Sequence, residues 1–86
     1  MPRTPIIFTV TTQVFDGVTY AMVRKGDDPY LSPYSGEREI SAEYLGEVVA
    51  GWRRIGFEPS YIFAPGVPDE WKSAFLGALG KDRKAA

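Results

Sequence analysis

Residues 41–57, SAEYLGEVVAGWRRIGF, carry the start, the period and the end of one amphipathic helix. Ser41 is a predicted N-cap, because its hydroxyl can accept an otherwise unpaired backbone N–H of the first turn. Gly56 suits the left-handed residue that follows a helix, and Phe57 is then expected to fold back onto Trp52. The apolar residues that recur at helical spacing, and that we expect to face the core, are Leu45, Val48, Val49, Trp52 and Ile55.

Upstream of this helix, residues 5–25 predict a β-hairpin whose two arms are rich in β-branched and aromatic residues. A two-residue loop at 16–17 would mix apolar and polar side chains on both faces of the hairpin. A three-residue loop at 15–17, with its glycine in the left-handed position, pairs Val14 with Val18 and separates the two kinds of side chain. We therefore expect the three-residue loop, because a slip by one residue would move half of the core to solvent. The predicted core face consists of Ile6, Phe8, Val10, Val14, Val18, Tyr20 and Met22.

The rest of the chain predicts one more strand, at 57–64, and a second helix from about Pro68 to Leu79. We expect a single α+β domain over residues 1–86, in the order strand, strand, helix, strand, helix. The hairpin and the third strand form a small antiparallel or mixed sheet, covered on one face by the two helices. We prefer the all-antiparallel arrangement with the first strand in the centre. The charged tail at about 80–86 is expected to fray.

The composition excludes several classes of enzyme. The chain has no cysteine and no histidine, so thiol nucleophiles, Ser-His catalysis and the usual zinc sites are not open to it. Its acidic residues match no EF-hand spacing, and no glycine-rich phosphate motif is present. We therefore expect a protein that is not an enzyme, without catalytic residues, a metal site or a cofactor.

The sequence also predicts where the protein acts. No stretch of about 18 apolar residues is present, and the first residues lack the basic-then-apolar order of a signal peptide. We therefore expect a cytoplasmic protein with no membrane partner. With a formal net charge of −1, bulk attraction to nucleic acid is not expected either.

The negative charge is concentrated in the middle of the chain. Residues 26–39 combine turn-forming residues with no hydrophobic period, which predicts a long loop. Long loops often carry function, and this one holds apolar side chains beside carboxylates. We expect the loop, with the neighbouring first turns of the helix, to bind another protein whose surface is basic. The predicted partner-binding residues are Asp27, Asp28, Tyr30, Leu31, Tyr34, Glu37, Glu39, Glu43 and Glu47.

Other interpretations of the same chain stay open. The loop tyrosines can instead pack over one end of the core, with the carboxylates as solvated surface. If the second strand is an open edge, two copies can form a homodimer through residues 18–23. A nucleic-acid-binding accessory protein would use the basic residues Arg53, Arg54, Lys81, Arg83 and Lys84.

The size and style of the chain suggest one biological setting. A small, cysteine-free, acidic single domain is also typical of phage or mobile-element proteins that bind and modulate, or inhibit, one host protein. Such a protein would act in the host cytoplasm. No residue pattern carries this likeness, and a small accessory subunit that is stable only with its partner is the alternative.

Overall fold

The computed structural model describes residues 2–26, 28, 31–36 and 39–81, except for the side chain of Lys81. These residues form a mixed sheet and two helices, which confirms the predicted α+β class. The elements are β1 (Thr4–Phe15), β2 (Val18–Lys25), β3 (Leu31–Ser35), α1 (Ala42–Arg54), β4 (Phe57–Phe63) and α2 (Asp69–Lys81).

The first helix, α1, forms as the sequence predicts. The Ser41 side chain accepts the backbone N–H of Tyr44 at 3.1 Å, so the predicted N-cap is present. At the other end, Gly56 has a φ of 101°. The Trp52 and Phe57 rings then meet edge to face, with centroids 5.7 Å apart. Local chemistry at both ends therefore sets the length of this helix.

The strands of the sheet have the order β3-β2-β1-β4. β1 pairs with β2 antiparallel and with β4 parallel, while β2 pairs with β3 antiparallel. The predicted neighbours of β1 are therefore correct, but the all-antiparallel arrangement is wrong. The cause is β3, because this additional strand reverses the chain before α1 and the crossover then returns β4 parallel to β1.

The strand β3 lies within residues 26–39, which the sequence predicts to be a loop because turn-forming residues occur there with no hydrophobic period. Its Pro33 cannot donate to a ladder, but a proline is tolerated on an edge strand, which is where β3 lies. β3 pairs with β2 along residues 20–24. The β2 backbone there is paired on both sides, so the condition for the alternative homodimer, an open β2 edge, is not met along these residues.

The hairpin register differs from the predicted one by a residue. Phe15 pairs with Val18, so the turn contains only Asp16 and Gly17. Their φ angles of 52° and 76° are those of a type I′ turn, whose twist matches the twist of the flanking strands. The predicted three-residue loop is therefore wrong. The predicted core residues that this moves to the opposite face are Val18, Tyr20 and Met22.

The core lies between one face of the sheet and the two helices. Its buried apolar residues are Phe8, Val10, Ala21, Val23, Leu45, Val49, Val67, Trp71, Phe75 and Ala78. The Phe75 ring is almost fully buried. Its centroid lies 4.8 Å from that of the Tyr61 ring and 5.9 Å from that of the Phe63 ring. Trp52 is half-buried and packs at the side of this cluster. Ile55, predicted on the buried stripe, is 67% exposed because α1 has already ended at Arg54.

Candidate protein-binding surface

The strand residues that alternate with the core residues point away from both described helices. We call this side of the sheet the uncovered face. It consists of Pro5, Ile7, Thr9, Thr11, Gln13 and Phe15 from β1, Val18, Tyr20, Met22 and Arg24 from β2, Leu31, Pro33 and Ser35 from β3, and Glu58, Ser60 and Ile62 from β4. Large apolar side chains on it reach solvent, since Phe15 is 65%, Ile62 55% and Ile7 48% exposed.

Charged side chains are concentrated elsewhere on the molecule. Arg24 and Glu58 are the charged residues among those that form the uncovered face. The Glu58 carboxylate of β4 is bound by Arg53 of α1. By contrast, α1 exposes Glu43 and Glu47 on the helix side of the sheet. The two sides of the molecule therefore differ in polarity.

A groove of about 300 Å³ crosses the uncovered face. Its lining residues are Gln13, Phe15, Tyr20, Met22 and Pro33. Gln13 stands directly opposite Tyr20 in the β1–β2 ladder, and Met22 stands opposite Pro33 in the β2–β3 ladder. Three neighbouring strands therefore build the groove. Its volume reaches the lower end of the range for ligand-binding clefts, roughly 300–1,000 Å³.

One end of the groove, at Phe15, is formed by the projecting tip of the hairpin. β4 pairs with β1 only as far as Val10, and β3 pairs with β2 only from Tyr20 onward. Residues 14–19 therefore form a two-stranded ribbon, on which Val14 is 66% and Phe15 65% exposed. A two-stranded ribbon alone is only marginally stable in water. The Phe15 end of the groove is thus its least supported part.

The structure separates the predicted apolar anchors. Leu31 is 45% exposed and belongs to the uncovered face. Tyr34 lies on the covered face, where its ring meets Phe75 at 6.4 Å and Tyr44 at 6.2 Å. Burial is the main cause that raises the pKa of the Tyr34 hydroxyl above its ordinary value. Leu31 and Tyr34 therefore do not form one patch. For Tyr34, the alternative interpretation, in which the loop tyrosines pack over the core, is correct.

The predicted acidic residues have different environments. Glu43 and Glu47 are exposed on α1. The Glu39 carboxylate accepts the Ser35 backbone N–H at 2.8 Å and so helps to hold the chain between β3 and α1. Asp28 is half-buried, and its N–H donates to the Lys25 carbonyl at 2.9 Å. The predicted binding residues that lie outside the described part of the chain are Asp27, Tyr30 and Glu37.

Arg53 belongs to a buried network rather than to a basic surface. Its side chain is 4% exposed, and its guanidinium donates to the Glu58 carboxylate and to the Leu79 carbonyl, each at 2.8 Å. A phosphate could reach Arg53 only after these bonds had been broken, so this residue does not fit the nucleic-acid interpretation. Arg54 is exposed. Of the other predicted basic residues, Arg83, Lys84 and the side chain of Lys81 lie outside the described part.

A second, smaller opening of about 180 Å³ lies on the helix side of the sheet. Its lining residues are Phe8, Val23, Lys25, Asp28, Ser32, Tyr34 and Trp52. The Lys25 ammonium lies 5.5 Å from the centroid of a Trp52 ring, which is a cation–π distance. Lys25 therefore shields the half-buried indole from water with its own side chain.

Within the residues that the structure describes, no group of three or more acidic, histidine or cysteine residues is placed to hold a metal ion. None of the described helices is long and apolar enough to cross a membrane. Comparison with protein-family models, with curated proteins and with solved structures finds no match to this chain. The assignment of the candidate surface therefore rests on the geometry and chemistry of its own residues.

Sequence reasoning missed the groove because it assigned Tyr20 and Met22 to the core. The signal that could have found it is the Asp16-Gly17 dipeptide. Asp-Gly between two alternating arms is a strong indication of a two-residue type I′ turn, since both positions need a positive φ. That turn length alone places Tyr20 and Met22 on the face opposite Val10.

Proposed function

We propose that this protein is a non-enzymatic protein-binding module whose partner docks on the uncovered face of the sheet. The observation that carries the proposal is the set of exposed apolar side chains there, including Phe15, Ile7 and Ile62. The opposite face of the same sheet is occupied by the core. The exposed apolar side chains lie in two groups, Ile7 with Ile62 at one end of the face and Phe15 with the groove residues at the other. Exposed apolar surface is unfavourably hydrated and, where it is concentrated, marks interaction sites on soluble proteins.

The composition of the uncovered face supports the proposal. The centres of protein interfaces are depleted of Lys, Glu and Asp and enriched in aromatic residues, Met and Arg. The uncovered face has this composition, with Phe15, Tyr20, Met22 and Arg24 in neighbouring positions of the hairpin. Aromatic and arginine side chains are also the residues that most often dominate binding free energy.

This proposal keeps the predicted type of function but moves its surface. Glu43 and Glu47 lie on the helix side, so they do not share a contact area with the groove. They can only steer the approach of a basic partner over a longer range. Binding of this kind suits a small modulator, which acts by occupying the surface of another protein.

A nucleic-acid partner has less support. Electrostatic contacts with phosphates supply most of the non-specific affinity for nucleic acid. Of the predicted basic residues, Arg53 is buried against Glu58, and Arg54 is exposed on α1. Among its described strand residues, the uncovered face contributes Arg24 as its basic residue. An exposed apolar face of this kind suits a protein partner better.

The test is affinity capture from a lysate of the source organism, followed by mass spectrometry, with three versions of the protein. Met22→Lys places a charge in the middle of the uncovered face without entering the core. Glu43→Lys/Glu47→Lys reverses charge on the helix side and is the matched control. Circular dichroism and thermal denaturation confirm that each variant is folded.

We expect Met22→Lys to lose a partner that the wild type captures, while the Glu43→Lys/Glu47→Lys variant retains it. The reverse pattern would overturn the proposed surface and move the site to α1. A partner retained by both variants would likewise contradict it.

A further inference from the structure

The lining of the groove contains apolar surfaces and hydrogen-bond donors but no charge among its described residues. Phe15 and Tyr20 supply rings, Met22 a thioether, and Pro33 its own ring. The Tyr20 hydroxyl and the Gln13 side-chain amide can both donate hydrogen bonds. Gln13 and Tyr20 are cross-strand partners, so the two residues that supply these donors are direct neighbours in the groove lining.

Several modes of peptide recognition do not fit this lining. Strand addition requires an open sheet edge, and the edge strand next to the groove carries Pro33, which has no N–H. Recognition of phosphorylated motifs requires a cluster of arginines, and Arg24 is the single basic residue among the described strand residues of the uncovered face. A volume of about 300 Å³ accepts a few side chains rather than the whole apolar face of a helix.

The chemistry that matches the groove is that of a proline-rich chain. A polyproline II helix makes no internal hydrogen bonds, so its carbonyls need external donors, and its pyrrolidine rings need apolar surfaces. Aromatic-lined grooves with side-chain donors meet both needs. The segment is already extended before binding and loses little conformational entropy, so a groove of modest size can hold it.

We propose that the groove between Phe15, Tyr20 and Pro33 binds a polyproline II segment of a partner protein, with an acidic residue at one end of that segment. This inference rests on the proposed function and names the partner's chemistry. The acidic end follows from charge complementarity. Arg24 lies on the same face as Met22 and two residues beyond it, roughly 7 Å along β2. The one carboxylate among the described strand residues of that face, Glu58, lies two strands away on the edge strand β4 and is bound by Arg53.

The test uses three synthetic peptides of equal length in ¹⁵N NMR titrations of the folded protein. The first has nine prolines with one glutamate at the end, the second has lysine in place of the glutamate, and the third consists of glycine and serine. We expect saturable shifts at the groove residues with the glutamate peptide. The lysine peptide should bind at least three-fold more weakly, and the glycine–serine peptide should not bind.

Variants separate the parts of the site. Tyr20→Phe removes only a hydroxyl and should weaken binding several-fold, while Phe15→Ala, at an exposed position, should weaken it about ten-fold. Arg24→Gln should abolish the preference for glutamate over lysine. Ile55→Ala, at an exposed position beyond the end of α1 and off the uncovered face, is the matched control and should leave the affinity unchanged.

Two outcomes would overturn this inference. One is the absence of saturable binding of the glutamate peptide at millimolar concentration to a protein whose NMR spectrum shows that it is folded. The other is a set of shifts that maps to α1 or α2. If either occurs while Met22→Lys still loses the captured partner, the proposed function stands and only the polyproline chemistry is wrong. If Met22→Lys retains the partner as well, the proposed function fails with it.

Discussion

The Arg53 guanidinium and the Glu58 carboxylate meet at 2.8 Å, although the Arg53 side chain is only 4% exposed and Glu58 is 30% exposed. Arg3 reaches the same carboxylate at 3.3 Å. A buried cation is stable only when it is paired, because the loss of hydration costs several kcal/mol. This contact fastens the end of α1 to β4, so Arg53 serves the fold rather than a ligand.

Removing the carboxylate should therefore destabilise the protein. Glu58→Gln leaves the buried guanidinium without its counter-charge and is expected to lower the free energy of unfolding by about 2–3 kcal/mol, below the full cost of a deeply buried pair because Glu58 is partly exposed. Urea denaturation measures the change. Asp69→Asn, which breaks the surface pair with Lys72, is the matched control and should leave the midpoint unchanged. Equal midpoints for the two variants would contradict the buried network.

The type I′ turn makes a prediction about Gly17. Its φ is 76° and an added Cβ would meet nothing within 4 Å, so the cost of Gly17→Ala is purely conformational. We expect a loss of about 1 kcal/mol, measured by urea denaturation. Asp16→Asn should be neutral, because Asn tolerates a positive φ. A Gly17→Ala variant as stable as the wild type would show that the turn is not left-handed.

Gly36 lies where a side chain has no room. A Cβ there would lie 2.6 Å from Cζ2 of Trp71 and 3.2 Å from the Thr19 carbonyl. Gly36→Ala should therefore cost about 1–3 kcal/mol and change the near-ultraviolet circular dichroism of the indole. Gly51→Ala is the control, since its Cβ would meet only Arg54 Nη2 at 3.8 Å. That helical substitution should raise stability by up to about 1 kcal/mol, and a loss there would argue against the placement of α1.

Tyr61 should make the protein less stable at alkaline pH. Burial raises the pKa of its hydroxyl well above the ordinary value of 10.0, and the nearby Tyr34 hydroxyl adds to this. Above about pH 10 the unfolded chain therefore releases this proton while the folded chain keeps it, so the free energy of unfolding falls as pH rises. Unfolding measured from pH 8 to 11 should show this fall. In Tyr61→Phe the slope should be smaller, and an unchanged slope would assign the effect to other groups.

Local signals explain why the helices could be predicted from the sequence. Ser41 and Gly56 act on the backbone next to them, so their effect does not depend on the rest of the fold. The second helix, predicted from about Pro68 to Leu79, likewise forms as α2 (Asp69–Lys81). These elements follow from chemistry within a few residues of the chain.

The sheet could not be predicted in the same way. The predicted hairpin register places Tyr20 and Met22 in the core, because it assumes that the apolar face of the hairpin must be the buried one. In the structure, the covered face ends near Val10 and Ala21, and the other face keeps apolar residues in solvent. At the candidate site, the hydrophobic alternation of the hairpin and the chemistry of its Asp16-Gly17 turn predict different registers. Local sequence rules often fail in this way at functional surfaces.

The most direct test of the account is methyl cross-saturation NMR on the complex with the captured partner. The isoleucine methyl groups report on different sides of the molecule, at Ile6, Ile7, Ile40, Ile55 and Ile62. Saturating the proton signals of the partner should attenuate the methyl signals of Ile7 and Ile62, which lie on the uncovered face. The Ile55 signal, from a more exposed position beside α1, should keep its intensity. Attenuation of Ile55 with Ile7 and Ile62 unaffected would contradict the claim that the partner binds the uncovered face.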